Sequence, residues 1–382
     1  MAVMSRQPAC FIVLLAAALA AGGSRSHAQT TVGQALDDFS SGVDGYNLMT
    51  LGGGATLSSY TSTAGSLAID GDLSLGAGKV ANVAADIGAA TDPTLYVTGT
   101  LTLTGTAKLE NGYASLPGET AADYSWNVTK RYLTSAIGGG TLESLPTTGS
   151  YATTSPLGNP GPVGFNFAAA ISQLSSASST LAGATADGTI SVSSKALTFT
   201  PNATPAAGST VVFQLDASQI SGSTYEGQDF TKVTINVPTD VNYVINVVNA
   251  TSGTTLFGSG VSMKSGTNDD QLLWNIEGAA TVTLGGGNFY GAILAPSATI
   301  ENGGATVTGQ VAAESFDDSG NALDFAAFDS AAVVAPEPAT FALWGAAICG
   351  LAIAARRLRR RRPAAFARQT RIAPAALRDL AR

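Results

Sequence analysis

Three short stretches that resemble one another decide the fold of this chain. They read MTLGGGATL at residues 49–57, LAIDGDLSL at residues 67–75 and LYVTGTLTL at residues 95–103. Apolar residues recur at every second position, which indicates strands with one buried face. A glycine stands where two such strands meet, and a glycine in that place indicates a corner or a close backbone approach. The pattern predicts a body built from repeated short strands.

The spacing of the stretches predicts how these strands stack. The first two stretches start 18 residues apart, and the third starts 28 residues after the second. A second pair, GAILAPS from Gly291 and GQVAAES from Gly309, is again 18 residues apart. A repeat of this length suits one coil of a β-solenoid with three short faces, in which each coil buries its apolar residues against the next. A β-sandwich with regularly spaced strands is the alternative.

A segment of different character, residues 164–183, interrupts the strand pattern. Four apolar residues of this segment fall on one stripe of a helix: Phe167, Ile171, Leu174 and Leu181. Gly183 is suited to the end of that helix. We therefore predict a mainly β fold, a β-solenoid body with one amphipathic helix that lies along the body or caps one of its ends.

Charge and residue usage exclude several classes of function. Residues 29–335 carry 25 acidic and seven basic side chains, a net charge of −18, whereas residues 356–382 carry ten arginines and one aspartate. An acidic body argues against nucleic acid as a partner, because phosphate binding requires a basic surface. Residues 29–335 also lack cysteine and histidine. We therefore predict no catalytic residues, no zinc site and no cofactor.

Carboxylate chemistry would depend on two pairs of adjacent aspartates, Asp269-Asp270 and Asp317-Asp318. Both pairs lie among Gly, Ser and Asn, a context typical of solvated turns. Solvated turns are therefore the prediction. Calcium binding, without EF-hand spacing, and catalysis are the alternatives.

Threonines alternate with apolar residues in TLTLTG at residues 100–105 and in TVTLGG at residues 281–286. Threonine ladders on solenoids can bind ice or sugar rings, but exposed strands favour threonine for its β-propensity alone. Two short stretches do not form a ladder, so β-propensity is the prediction. Tyr60, Tyr113 and Trp126 are the exposed aromatics that a sugar site would use, and they are few and scattered.

The N-terminus has the features of a signal peptide. Arg6 precedes an apolar run at residues 9–21, which is too short to span a bilayer comfortably, and small residues precede a cut after Ala28. We predict that residues 1–28 are a signal peptide cleaved after Ala28.

The C-terminus combines a motif, an apolar run and a cluster of arginines. The motif is Pro336-Glu337-Pro338, and residues 339–355 follow as a helix of about 25 Å, near the lower limit for spanning a membrane. The arginines that fix the cytoplasmic side are Arg356, Arg357, Arg359, Arg360, Arg361 and Arg362. The predicted segments are a β domain at 29–330, a linker with the motif at 331–338, a transmembrane helix at 339–355 and a cytoplasmic tail at 356–382.

This tail resembles the PEP-CTERM sorting signal of Gram-negative bacteria. The resemblance implies an exosortase, a membrane-embedded processing enzyme, as partner. It also implies export through the inner membrane to the cell surface or the extracellular matrix, with an extracellular polysaccharide as a further partner. In this chain 20 residues follow the arginines, where such tails usually stop.

The body is similar to the choice-of-anchor A domain from about Leu36 to Phe328. The resemblance rests on YNLMTLGGGATLSSY, on the helical segment FAAAISQLSSASSTLAG and on a closing block. The most specific residues of that block are Trp274, Asn275, Gly291, Ala292, Leu294, Ala295, Pro296 and Gly309. We expect an exported, non-enzymatic protein with a structural or adhesive role in biofilm or exopolysaccharide. A polysaccharide- or ice-binding solenoid is the first alternative, and a polysaccharide hydrolase or lyase is the second.

Overall fold

The fold was determined as a computed structural model. It describes residues 31–43, 45–58, 60–83, 93–136, 139–144, 155–158, 161–162, 165–264, 268–278, 280–318 and 322–329. The predicted signal peptide with Ala28, the Pro336-Glu337-Pro338 motif, the apolar run at 339–355 and the arginine cluster lie outside these residues. Neither helix in the described ranges is long and apolar enough to cross a membrane.

Each coil of the body contributes short strands to three sheets, which we call face A, face B and face C. Face A holds nine strands in the spatial order β15-β20-β23-β26-β28-β1-β3-β6-β9. These strands are β1 (Tyr46–Leu51), β3 (Ser66–Asp70), β6 (Leu95–Val97), β9 (Ala114–Ser115), β15 (Ser209–Asp216), β20 (Val241–Val248), β23 (Leu272–Ile276), β26 (Ala292–Asn302) and β28 (Val311–Asp318). All neighbours on face A pair in parallel. The predicted solenoid is confirmed, and the sandwich alternative is wrong.

Face B follows face A around a corner that β26 and β28 turn within their own length. Its spatial order is β21-β24-β26-β28-β2-β4-β7, again with parallel pairing throughout. Its remaining strands are β2 (Ala55–Leu57), β4 (Leu73–Leu75), β7 (Leu101–Leu103), β21 (Thr254–Leu256) and β24 (Thr281–Leu284). A small antiparallel sheet contacts the β21 edge: β16 (Ile220–Ser221), β17 (Thr224–Tyr225) and β18 (Gln228–Asp229).

Face C consists of three groups of parallel strands. They are β14 (Ala196–Pro201), β19 (Lys232–Thr234) and β22 (Ser262–Lys264); β25 (Asn288–Tyr290), β27 (Thr306–Thr308) and β29 (Leu323–Asp324); and β5 (Gly78–Val80), β8 (Thr106–Leu109) and β12 (Thr141–Ser144). Single parallel bridges through Ser62 and Thr63 join β29 to β5, and the Tyr290 N–H donates to Met263 Sδ between β25 and β22. The three groups therefore form one continuous side of the solenoid.

Apolar residues of successive coils stack inside this frame. Leu48, Leu67 and Leu95 form one row behind face A, and all three are fully buried. Each such leucine contributes roughly 1.5–3 kcal/mol through burial. The Trp274 indole lies in the same core and donates its Nε1–H to the Tyr290 carbonyl at 2.8 Å. The alternation seen in the sequence is therefore the alternation between core and surface.

The register corrects the alignment of the repeats in two places. Leu67 pairs with Leu48 rather than with Met49, because the corner at Gly52–Gly54 holds one more residue than the next corner. Gly52 and Gly54 accommodate that extra residue at φ +117° and +76°. In β26 two further residues lie between Ala295 and Thr299, so the 18-residue offset becomes 16 on face B.

Two helices cover face A: α1 at residues 31–43 and α2 at Phe167–Ala182. The α2 helix contacts β20, β23 and β26, so the prediction that it lies along the body is confirmed. The Gln173 side chain joins the helices by donating to the Asp38 carbonyl at 2.8 Å. We expected one helix, and α1 was missed although its apolar residues also follow helical spacing. The buried residues of α1 include Val32, Leu36, Phe39 and Val43.

Polar side chains fix α2 on the sheet. The Asn275 side-chain amide donates to the Ser178 carbonyl at 3.0 Å and to Asn246 Oδ1 at 2.9 Å, while the Ser178 hydroxyl donates to Asn275 Oδ1 at 2.7 Å. Asn246 in turn donates to the Leu181 carbonyl. Satisfied buried networks of this kind specify one arrangement, because an unpaired member would be costly.

Antiparallel hairpins end the parallel stack on both sides. At one end β10 (Tyr124–Asn127) and β11 (Tyr132–Ser135) extend face C beyond β12, and at the other end β13 (Gly188–Ser193) pairs with β14. A carboxylate covers part of each edge strand: Glu119 accepts the Leu101 N–H of β7, and Asp187 accepts the Val212 N–H of β15 at 2.7 Å. Covering edge N–H groups limits pairing with other chains.

The pKa of Asp187 predicts a pH dependence of stability. Loss of surrounding water raises the pKa of this carboxyl, and the hydrogen bond from Val212 lowers it by less. The folded chain therefore binds the proton more tightly than the unfolded chain, so the Asp187 contribution to stability falls as the pH rises from the unfolded pKa through the raised folded value. Because asparagine keeps an acceptor oxygen without the charge, we expect Asp187→Asn to be more stable than the natural chain at neutral pH. Urea unfolding should show that advantage vanish in acid.

Asp187→Ala is the matched control for the lost acceptor. It leaves the Val212 N–H unpaired and should lower the free energy of unfolding by about 1 kcal/mol at both pH values. An Asp187→Asn variant that gains stability only in acid would contradict the predicted sign.

Candidate functional site

The outward side of face B carries a continuous row of short polar side chains. Seven strands contribute one residue each, and every neighbouring pair is in direct register. In spatial order the row is Thr255, Thr283, Glu301, Asp317, Thr56, Ser74 and Thr102. All seven are partly or fully exposed. Parallel strands lie about 4.8 Å apart, so the row extends over roughly 29 Å.

The two threonine stretches that looked isolated in the sequence meet on this face. Thr102 of the first stretch and Thr283 of the second lie in the same row, although 181 positions separate them in the chain. They meet because β28 joins β26 to β2 and so places the last coil beside the first. The expectation that these stretches form no ladder is therefore wrong.

A second row runs beside the first on half of face B. Thr281, Thr299 and Ser315 are in register, and the Thr299 and Ser315 hydroxyls are hydrogen-bonded at 2.7 Å. Residues two positions apart on a strand are about 6.7 Å apart, so the hydroxyls form a two-dimensional array. At Gly53, whose N–H bonds to the Glu314 carbonyl, the second row ends.

Two carboxylates interrupt the hydroxyls of the first row at its centre. Glu301 and Asp317 are direct register partners on β26 and β28. Glu301 accepts a hydrogen bond from the Thr283 hydroxyl at 3.0 Å, and Asp317 is exposed. Like charges placed opposite each other destabilise a strand pair, so this pair is an acidic spot in a hydroxyl surface.

The aspartate pairs of the sequence have different surroundings. Asp269 and Asp270 lie in a short 3₁₀ turn, as predicted. The turn prediction is wrong for Asp317 and Asp318, because β28 continues through both: Asp317 points outward, and Asp318 is buried and accepts from the Asn302 amide at 3.1 Å. Among the described residues, no group of three or more metal-ligating side chains comes together.

The aromatic residues considered for a sugar site do not form one. Tyr60 is buried in the core, where desolvation raises the pKa of its hydroxyl, so the expectation that it is exposed is wrong. Trp126 packs against the same core, and Tyr113 is only partly exposed. Face B therefore presents hydroxyls and carboxylates rather than an aromatic platform.

A groove of about 940 Å³ lies beside the free edge of β15. Small residues form most of its walls, including Ala184, Ala203 and Pro205, and Thr210 contributes a buried hydroxyl that has no hydrogen-bond partner. Unlike face B, the groove has no repeated arrangement of polar groups that indicates a class of ligand.

These features define a parallel β-solenoid protein with a polar row on a solvent-facing side. The chain belongs to the family described as "Putative Ice-binding-like adhesive domain", whose sequence model matches residues 39–324. That match covers nearly the same residues as the similarity to the choice-of-anchor A domain. No curated protein matches the sequence.

Solved structures of an ice-binding protein from an Arctic yeast are among the structural matches. One, described for its antifreeze activity, shares 11% identity, covers 75% of this chain and 93% of its own, and has a TM-score of 0.30. A glycosylated form shares 12% identity, covers 74% and 90%, and has a TM-score of 0.29. Similarity at this level carries no argument about fold or ligand, and the fold rests on the strand pairing described above.

The register of Glu301 and Asp317 predicts a measurable repulsion. A double-mutant cycle with Glu301→Thr and Asp317→Thr should give an unfavourable coupling of about 0.5 kcal/mol, because the carboxylates are direct neighbours on paired strands. High salt should reduce it by screening. Urea unfolding of the four proteins measures the coupling, and Glu314→Thr with Asp317→Thr is the control cycle for an acidic residue outside this register pair. A favourable or absent coupling at low salt would contradict the arrangement.

Proposed function

We propose that this protein is an exported surface adhesin whose face B binds ice. The continuous register row of face B carries the proposal, because it presents side chains of similar length at a fixed repeat on a rigid support. Family membership supports an adhesive role of the ice-binding-like type. An adhesive domain of this kind acts at the cell surface or outside the cell.

A repeated array suits a repeated ligand. Each hydroxyl of face B makes a weak contact by itself, since a single hydrogen bond contributes about 1 kcal/mol net. Ten or so such groups that meet an ordered lattice simultaneously need no deep pocket. The strand pairing also fixes their positions before binding, which lowers the entropic cost of association.

A neutral polysaccharide is the second candidate ligand for face B. The observation that favours it is the acidic pair at the centre of the row, since carboxylates accept strong hydrogen bonds from hydroxyl groups. Glu301→Thr with Asp317→Thr separates the two ligands. The double variant should adsorb more strongly to ice, whereas it should bind a neutral polysaccharide less strongly.

Blocking the row tests the proposal directly. Thr56→Tyr and Thr283→Tyr each place a bulky ring among short side chains and hold the neighbours away from a planar surface. We expect each variant to lose about tenfold in ice-recrystallisation inhibition, which corresponds to about 1.4 kcal/mol of binding. Uptake into slowly growing ice gives an independent measurement.

Thr308→Tyr is the matched control, because Thr308 is an outward, partly exposed threonine on β27 of face C. It should leave ice activity unchanged. If the natural protein has no effect on ice growth, or if Thr308→Tyr is as harmful as Thr56→Tyr, ice binding through face B is wrong.

We propose that the C-terminal region directs export, although it lies outside the described residues. The motif, the apolar run at 339–355 and the arginines support sorting by an exosortase-type enzyme after transient insertion in the inner membrane. The mature body would then have a structural or adhesive role in the extracellular matrix, without enzymatic activity.

Glu337→Ala tests the sorting signal. The variant should remain in the cell envelope at its unprocessed size, whereas the natural protein should reach the surface or the matrix in shortened form. Immunoblots of cell fractions and mass spectrometry of the matrix protein measure both. A variant with the size and location of the natural protein would refute the sorting proposal.

A further inference from the structure

The basic residues of the body are confined to one side of the solenoid. All seven basic residues between positions 29 and 335 lie on strands of face C or in the hairpin turns that extend its sheets. They are Lys79, Lys108, Lys130, Arg131, Lys195, Lys232 and Lys264. Faces A and B therefore carry acidic side chains with no basic ones.

Few carboxylates share the strands of face C. Glu143 and Asp324 lie on those strands, and Glu110, Asp123 and Asp187 flank them. Glu110 pairs with Lys79 at 3.2 Å, and Glu143 is the register partner of Lys108. Lys79 and Lys108 are themselves direct register partners, an unfavourable placement without a bound anion.

The cations form two clusters at the two ends of face C. Lys195, Lys232 and Lys264 belong to the β13-β14-β19-β22 end, and Lys79, Lys108 and Lys130 belong to the β5-β8-β12-β11-β10 end. Six strand steps of about 4.8 Å place β19 roughly 29 Å from β5. Neutral polar side chains occupy the strands between the clusters: Ser262, Asn288, Tyr290, Thr306 and Thr308.

We propose that face C binds an extended acidic polysaccharide along the solenoid axis. The two clusters fit carboxylate groups spaced along one chain, and the neutral centre fits sugar hydroxyls. Lys195, Lys232 and Lys130 are exposed, and Lys79 is half exposed, so their ammonium groups are accessible to a polymer. This proposal stands apart from face B and does not depend on ice binding.

The charge pattern favours this polymer over two other partners. Duplex DNA carries about one charge per 1.7 Å, so a body with 25 acidic residues would repel it strongly at low salt. A second copy would have to offer acidic groups about 29 Å apart on an exposed sheet. Face B instead has its carboxylates together at the centre of its row.

Binding to polygalacturonate, a linear acidic polysaccharide, tests the proposal with the full-length mature protein. We expect binding at low salt that weakens as salt is added, and none to neutral dextran. Lys195→Gln with Lys232→Gln, and separately Lys108→Gln with Lys130→Gln, should each weaken binding about tenfold, equivalent to two exposed ion pairs. Ser223→Glu with Ser252→Glu changes the net charge by the same amount in exposed loops outside face C, and should change affinity little.

The other outcomes are distinguishable. Unchanged binding in both lysine double variants, equal loss in the serine control, or equal affinity for duplex DNA would each overturn the proposal. Salt-sensitive dimers that the lysine variants abolish, seen by sedimentation without polymer, would assign face C to a second copy instead. Thr56→Tyr should retain polygalacturonate binding, so failure of this proposal and failure of ice binding are separate results.

Discussion

The parallel pairing of β28 with β1 and β2 is the contact on which the rest of the structure depends. It joins residues about 260 positions apart, as in the bond from the Ser58 hydroxyl to the Asp318 carbonyl. Without it the body would separate into two partial solenoids, each with a long open edge and an exposed apolar interior. Gly309 is needed at this junction, because its φ is +150° and an added Cβ would lie 2.3 Å from the Gly291 carbonyl oxygen. The Asn47 and Gln310 side chains bond across the same junction.

This pairing explains why the middle of the chain departs from the repeat. The coils that begin at β1 wind away to β9, and the chain must return the length of the solenoid before β15 starts the second half. The α2 helix lies along face A on that return, where Leu174 and Leu181 are buried. It packs on strands of the second half, β20, β23 and β26, and α1 packs beside it. The helices thus hold both halves together from one side and leave faces B and C to solvent.

The sequence predicted the period of the coils, the burial of their leucines and the position of α2, because all three depend on local alternation. It did not predict the order of the coils in space. Nothing local to Val311 indicates Leu48 as its neighbour, and the ladder on face B follows from that neighbour. The one-residue shift at Gly52–Gly54 was hidden for a related reason, since a corner can absorb an extra residue without changing the strands on either side. The α1 helix shows the opposite case, because its stripe was readable but lies next to the predicted signal-peptide cut.

The separation of outward chemistry by face follows from the same geometry. Alternation along each strand leaves the inward leucines to stabilise the coil, so the outward residues are free to differ from face to face. Each coil passes all three faces, and one position per coil is enough to build a row as long as the solenoid. Face B has used this freedom for hydroxyls with a central acidic pair, and face C for all the cations of the body. Because the two faces meet at corners and α1 and α2 cover the third, a ligand on face B would not compete with a polymer on face C. An adhesive protein requires this property, since it must hold one surface while it remains attached to another.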